Sequence, residues 1–296
     1  MKSSRFMLIA SMVIFGTIGL FVRGIPLPSA EIALYRSLLA ILFVGIAMII
    51  GRSKEKSPQP LSLTSLILLF LSGAALGLNW IFLFEAYKYT TVSNATLAYY
   101  FAPVIVTLLC PILFKEKMSA RQWICFAAST TGVALISGSV ALSTSSTNTL
   151  GVIFGLIAAC LYASVVLINK YIKDMSGINR TFFQFIAAAT VLLPYVLCTG
   201  GLHLSSFGLQ SGIYMLAVGI IHTGLAYCLY FSSIKRMRGQ EVSILSYIDP
   251  LIAVIVSVTL MQEPISVPEI IGGILIIGSA IFNEIVSNTK KKDRDL

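Results

Sequence analysis

Apolar residues in this chain fall into ten long runs separated by short polar stretches. A helix needs about 20 predominantly apolar residues to cross a hydrocarbon core of about 30 Å, and each run is long enough to predict one such span. In the first half the spans are Phe6 to Val22, Ser29 to Ile50, Leu63 to Tyr87, Val92 to Phe114 and Ala120 to Leu142. In the second they are Leu150 to Lys170, Asn179 to Leu197, Gln210 to Ser232, Glu241 to Met261 and Val267 to Ser287. The connections carry helix breakers: Gly24-Ile25-Pro26-Leu27-Pro28, Ser57-Pro58-Gln59-Pro60, the Ser/Thr-rich Ser143 to Thr149, and Cys198-Thr199-Gly200-Gly201.

The pattern occurs twice. At a constant offset of 147 residues Tyr100 matches Tyr247, Pro103 Pro250, Glu116 Glu263 and Ser119 Ser266, and Gly77, Phe84 and Lys88 match Gly224, Phe231 and Lys235. From Leu69 to Ser119 there are 11 identities in 51 positions without a gap, where so apolar a composition gives roughly four by chance. The expected architecture is an all-α membrane protein of ten transmembrane helices, arranged as a five-helix repeat over 1–145 and a second over 146–296. Five is odd, so the second copy enters the membrane upside down and the halves form an inverted repeat. That symmetry is what a secondary transporter uses to build inward-open and outward-open states from one set of contacts.

Composition agrees. The 296 residues are 57% hydrophobic and 11% charged, against about 25% charged in soluble domains. The net charge of +9 does not point to nucleic acid, because Lys and Arg sit in small clusters between apolar runs. With the N-terminus inside, 18 of the 21 basic residues fall on the inner side, leaving Arg23 and Lys88 outside and Arg36 within a span. The positive-inside rule therefore predicts cytoplasmic termini and a multi-pass protein of the cell (inner or plasma) membrane. The first apolar run reads as a retained span rather than a cleaved leader. Five isolated cysteines suggest neither a disulfide framework nor a zinc site.

The residues that carry chemistry gather near the paired prolines. A mid-span proline frees the carbonyl four residues earlier, which lipid cannot satisfy but a water-filled cavity can, so Pro103 and Pro250 are candidates for helix-break and gating positions, or else packing kinks. Tyr99 and Tyr100 precede one, Tyr247 and Asp249 the other. Asp249 lies about 12 Å into its span, where an acid must face water, find a partner or stay protonated. It is a candidate for meeting a substrate cation or for carrying a coupling proton; a protonated acid bonded to a neighbouring helix is the structural alternative.

Trp80 and Tyr227 are repeat equivalents at mid-span, suited to walling a pocket or to packing, and Asn79 and His222 add polar groups nearby. His222 reads equally as a titrating group or a satisfied core histidine. For Arg36, three readings stay open: snorkelling outwards, pairing with Glu31 or Glu85, or meeting a carboxylate in the cavity. Glu85 with Lys88 reads as an interfacial pair. Glu116 and Glu263 are expected to cap the turns into the helices that follow them. Small residues in the fifth and tenth spans, Ala127, Ala128 and Gly132, and Gly272, Gly273 and Gly278, suit close helix contact. They mark a scaffold or a homodimer surface.

These features together, an aromatic-rich third span, a mid-span proline in the fourth, an acidic turn, a Gly-containing fifth, and Arg36 in Tyr35-Arg36-Ser37-Leu38-Leu39-Ala40, resemble the EamA-type branch of the drug/metabolite transporter superfamily over essentially the whole chain, Phe6 to Ser287. The resemblance implies a ten-helix carrier whose central cavity is lined mainly by the third, fourth, eighth and ninth spans, with contributions from the first, second, sixth and seventh. It also implies a small-molecule substrate such as an amino acid or related metabolite, with export the commoner direction. The second copy has Gln184 or Phe185 where Arg36 would fall, so the arginine is not duplicated. No P-loop, HExxH, GxSxG or ligand cluster appears, so the sequence calls for no cofactor or metal and argues against an enzyme. An importer or exchanger, or a channel or membrane sensor, remains the alternative.

Overall fold

The computed structural model describes residues 2–51, 62–114, 120–142, 146–169, 171–172, 175, 177–200, 202–203, 208–234 and 245–292. Apart from short connections such as 24–28 and 262–266 they are helical, with no strand among the described residues. The first half contains α1 (Lys2–Gly16), α2 (Ile18–Arg23), α3 (Ser29–Gly51), α4 (Leu63–Tyr89), α5 (Val92–Tyr99), α6 (Ala102–Phe114) and α7 (Ala120–Leu142). The second contains α8 (Ser146–Asn169), α9 (Gly177–Thr199), α10 (Leu209–Leu216), a π-helical stretch Ala217–Leu225, α11 (Ala226–Ile234), α12 (Ile248–Thr259) and α13 (Val267–Lys292).

Among the described residues six helices are long and apolar enough to cross a membrane: Ser4–Arg23, Ser29–Ile50, Leu63–Tyr89, Thr147–Asn169, Gly177–Thr199 and Leu209–Tyr230. Shorter apolar helices, Val92–Val106, Trp123–Leu135, Ile248–Thr259 and Val267–Ser279, occupy the other predicted runs. Their outward residues are large and apolar, for example Ile46, Ile49, Ile67, Phe70, Leu193 and Leu197. A soluble protein rarely exposes so much contiguous apolar surface; lipid contact requires it.

The two halves interleave. Helix α4 packs on α8 and α9, α3 on α9 and the π stretch, and α1 on α11 and α12. One core draws Phe84, Ile32, Leu34, Ala158, Phe185 and Leu192 from both halves. Because lipid is as apolar as leucine, such contacts are held by close packing rather than by the hydrophobic effect. Glycine makes the closest ones: a Cβ at Gly16 of α1 would stand 2.6 Å from the Asp249 carbonyl oxygen and 2.7 Å from Ile252 Cβ of α12.

Helices α7 and α13 pair with each other at one side of the bundle. A Cβ at Gly132 would lie 2.6 Å from the Gly272 carbonyl oxygen, and Ser129 shares a hydrogen bond with Ser279. Gly273 faces Leu97. Gly132, Gly272 and Gly273 thus serve contacts within the chain, whereas Gly278 has open space around it.

The fourth predicted span is broken in the structure, and so is the ninth. Helix α5 closes on Tyr100 (φ −71°, ψ 5°), whose N–H donates to Thr96 O at 2.9 Å, and α6 restarts at Ala102. At the equivalent position Tyr247 (φ −74°, ψ −3°) stands in a turn before α12. In each copy the proline follows three residues later, inside the first turn of the new helix, where its missing N–H removes no hydrogen bond. The two copies therefore break their helices with the same backbone at the same repeat position.

Candidate functional site

A cavity of about 550 Å³ lies between the halves. It receives residues from α1, α3, α4, α5, α8, α9, α11 and α12 and from the breaks at Tyr100 and Tyr247. That volume is in the range of small-molecule sites. Arg36, Asn79, Trp80, Tyr99, Tyr100, Tyr227, Tyr247 and Asp249 all line it.

Asp249, one residue before Pro250 in the first turn of α12, accepts a hydrogen bond from Tyr100 Oη at 2.5 Å. The two breaks thus meet: a tyrosine at one bonds the acid beside the other. Tyrosine rings surround them. Tyr100 packs against Tyr99 (5.9 Å between centroids, perpendicular) and Tyr247 (6.4 Å), and Tyr99 against Tyr162 (5.4 Å). Pro250 is buried behind Asp249 and is not among the lining residues, and Pro103 is the second residue of α6.

Arg36 neither snorkels nor pairs with Glu31 or Glu85. It is only 4% exposed, its Nε donates to Thr223 Oγ1 at 2.6 Å, and its guanidinium lies 4.4 Å from the Trp80 ring centroid and 5.6 Å from that of Phe84. The two glutamates are engaged elsewhere. Glu31 accepts from the backbone N–H of His203 at 3.0 Å and contacts its ring, while Glu85 pairs with Lys88 at 3.1 Å as expected. Thr223 reaches Arg36 because the π stretch places its hydroxyl on the Val218 carbonyl, five residues back, at 2.7 Å. A wide turn of this kind aims side chains where an α-helix would not, and such turns recur at functional sites.

His222 stands apart from the lining. In the π stretch its Nδ1 donates to Ala217 O at 3.0 Å, its Nε2 shares a 3.0 Å hydrogen bond with Thr17 Oγ1, and its ring packs on Phe21. This is the core-histidine reading. Asn79 is buried; its amide nitrogen donates to Ala158 O at 2.6 Å and its Oδ1 has no partner.

Several lining residues were not singled out from sequence. Tyr162 and Tyr230 had a signal: the 147-residue offset pairs them with Phe15 and Leu83, which also line the cavity. Behind the lining, the buried Phe185 joins Trp80 (5.7 Å) to Tyr227 (5.4 Å). Arg180 donates to the carbonyls of Asn169 (3.4 Å) and Ile172 (3.2 Å) at the C-terminal end of α8, where a cation suits the helix dipole. Gln184 donates to Ser72 Oγ at 2.5 Å and Asn169 Oδ1 at 2.9 Å, tying α9 to α4 and α8.

A cross-half clamp ties the ends of α2, α4 and α5 to the chain that follows α12. Arg23, at the end of α2, donates from Nε to Tyr87 O and from Nη2 to Thr90 O, both at 2.7 Å, satisfying carbonyls where α4 ends. Its Nη1 pairs with Glu263. Glu263 also accepts from the Val92 N–H (2.8 Å), the first of α5, and from Ser257 Oγ (2.5 Å). This corrects the expectation that Glu263 caps the turn into the helix after it. The chain passes Gln262 at φ 54°, and the acid caps a helix of the other half. Glu269 caps α13 instead, accepting from the Ser266 N–H at 2.7 Å. Glu116 lies outside the described residues.

The model of the EamA-like transporter family matches residues 2–138 and again 149–284. The chain belongs to that family. It is a multi-pass membrane transporter of the drug/metabolite transporter superfamily. Among similar EamA-like proteins, an uncharacterized transporter of Bacillus subtilis (strain 168), YxxF, is 34% identical over 257 residues, covering 84% of this chain and 78% of the relative. An uncharacterized transporter of Archaeoglobus fulgidus is 25% identical over 285 residues, 95% and 96% of the two chains. A crystal structure at 16% identity shares the fold over 94% of this chain and 96% of its own, with a TM-score of 0.62.

Proposed function

We propose that this EamA-like chain is a secondary carrier that moves a small amphipathic metabolite, an amino acid or a related compound, out of the cell by alternating access. Its ten spans form two inverted five-helix repeats in the cell membrane, with both termini in the cytoplasm and the α2–α5 clamp on the outer side. The observation that carries the reading is the cavity between the halves, where the breaks at Tyr100 and Tyr247 meet through Asp249. Two copies of one backbone device meeting beside a substrate volume suit a rocking mechanism. The twofold match to one family model supports the same reading.

On this account the clamp of Arg23, Glu263 and the α4–α5 corner holds the outer end closed, and Asp249 meets the substrate cation or carries the coupling proton. Reconstituted protein tested against a metabolite panel, with the pH gradient controlled, examines the proposal. Saturable flux that weakens in Tyr100→Leu and Tyr247→Leu supports it. Flux that never saturates is the signature of a channel.

A further inference from the structure

Three charged side chains line the cavity: Arg180 is held by the backbone carbonyls of Asn169 and Ile172, and the other two, Arg36 and Asp249, have no counter-charge among the described residues. The Arg36 guanidinium is buried, rests on Trp80 and has no carboxylate in ion-pair range among the described residues. Asp249 accepts from a tyrosine and has no basic partner among them either. A buried charge without a counter-charge is costly, and an intramembrane one marks a substrate or ion path. Here Arg36 and Asp249, opposite in sign, line one volume, yet the two do not pair with each other.

The wall between them is aromatic. From Arg36 the ring contacts run through Trp80 and Phe185 to Tyr227. Around Asp249 stand Tyr100, Tyr99 and Tyr247. A carboxylate beside tyrosine faces attracts an ammonium by charge and by the ring quadrupole. A guanidinium held by Nε to a hydroxyl keeps its Nη donors for a carboxylate. Asn79 Oδ1, buried and unpartnered, adds an acceptor to the lining.

Resting on the carrier reading above, we infer that the cavity takes dipolar solutes whose anionic and ammonium groups stand at opposite ends of an apolar chain, as in 5-aminopentanoate. The anion meets Arg36, the ammonium meets Asp249, and the spacer lies along Trp80 and Tyr227. Solutes with both charges on one carbon reach one pole only.

The test compares four probes of similar bulk on the purified full chain, read by ligand-induced thermal stabilisation: 5-aminopentanoate, norvaline, pentanoate and pentylamine. A charge-assisted contact at each end predicts that 5-aminopentanoate binds roughly 10- to 100-fold more tightly than the other three. Asp249→Asn should remove its advantage over pentanoate, and Arg36→Gln its advantage over pentylamine. The wild-type ranking decides the matter even where a variant fails to fold. Norvaline binding as well as 5-aminopentanoate, or variants that weaken all four probes equally, would overturn the inference. Counterflow of some other solute with no binding of the panel overturns it while leaving the carrier reading intact. The expected ranking without counterflow upholds the site and sinks the carrier reading.

Discussion

Replacing Glu263 by Gln tests whether the cross-half clamp holds one end of the cavity shut. The carboxylate is buried and takes three donors: Arg23 Nη1 on one oxygen, the Val92 N–H and Ser257 Oγ on the other. Glutamine keeps the shape but turns one acceptor into a donor. Facing either way, it meets a donor already in place, the guanidinium or the Val92 N–H. Leaving one buried donor unpaired costs about 1–3 kcal/mol. Loss of the ion pair adds less than ~1 kcal/mol, because the Arg23 side chain is 33% exposed and water screens it. A penalty of about 1–4 kcal/mol on the closed arrangement multiplies the population of the open one by roughly 5-fold or more.

The assay is thiol labelling of a cysteine at Ser93, which is 1% exposed beside the clamp, in a background free of the five native cysteines. Labelling by an impermeant reagent should rise at least about fivefold when Glu263→Gln is added. A double cycle with Arg23→Gln should show coupling, since both residues brace the same corner. Unchanged labelling, with the variant as stable as its parent, would refute the reasoning. A lower melting temperature without any gain in labelling would make the clamp a brace and not a gate.

Asp249→Asn fixes that group as neutral. If the acid holds the substrate ammonium, apparent affinity falls and exchange is lost with net flux; if it carries a proton, exchange survives while the pH dependence of net transport disappears. Full transport with unaltered pH dependence takes Asp249 out of the mechanism. Gly16→Ala should destabilise the protein by about 1–3 kcal/mol, because the new methyl meets α12 backbone that has no room to move, whereas Gly212→Ala, with open space around it, should leave the melting temperature at or above that of the parent. For topology, cysteines at Thr147 and Gly208 should react with an impermeant reagent on intact cells, and one at the exposed Leu63 should not; the reverse pattern would invert the proposed orientation.

The helical architecture could be read from the sequence because lipid imposes a long-range composition rule, and the duplication could be read because equivalent positions keep equivalent backbones. Tyr100, Tyr247, Pro103, Pro250 and Asp249 were legible for the same reason: each breaks a local rule inside an apolar run. What stayed hidden depends on partners rather than on pattern. Glu263 looks like a local turn residue until Val92 and Arg23 are brought to it from 171 and 240 positions away. The π stretch has no sequence mark, yet it sets Thr223 against Arg36 and turns His222 into the core. Arg36 had three open readings, and only the fold shows that both glutamates are already engaged. Tyr162 and Tyr230 look like ordinary packing aromatics until the offset is carried into the first and third spans.

The central claim, a carrier that presents one cavity alternately to each side, is tested most directly by counterflow in proteoliposomes. Labelled solute is added outside vesicles loaded with the unlabelled compound. The account predicts uptake that saturates, runs faster with the inside loaded than empty, and loses that acceleration when Tyr100 and Tyr247 are both changed to Leu. Uptake at equal speed into loaded and empty vesicles, rising in proportion to concentration, would contradict it.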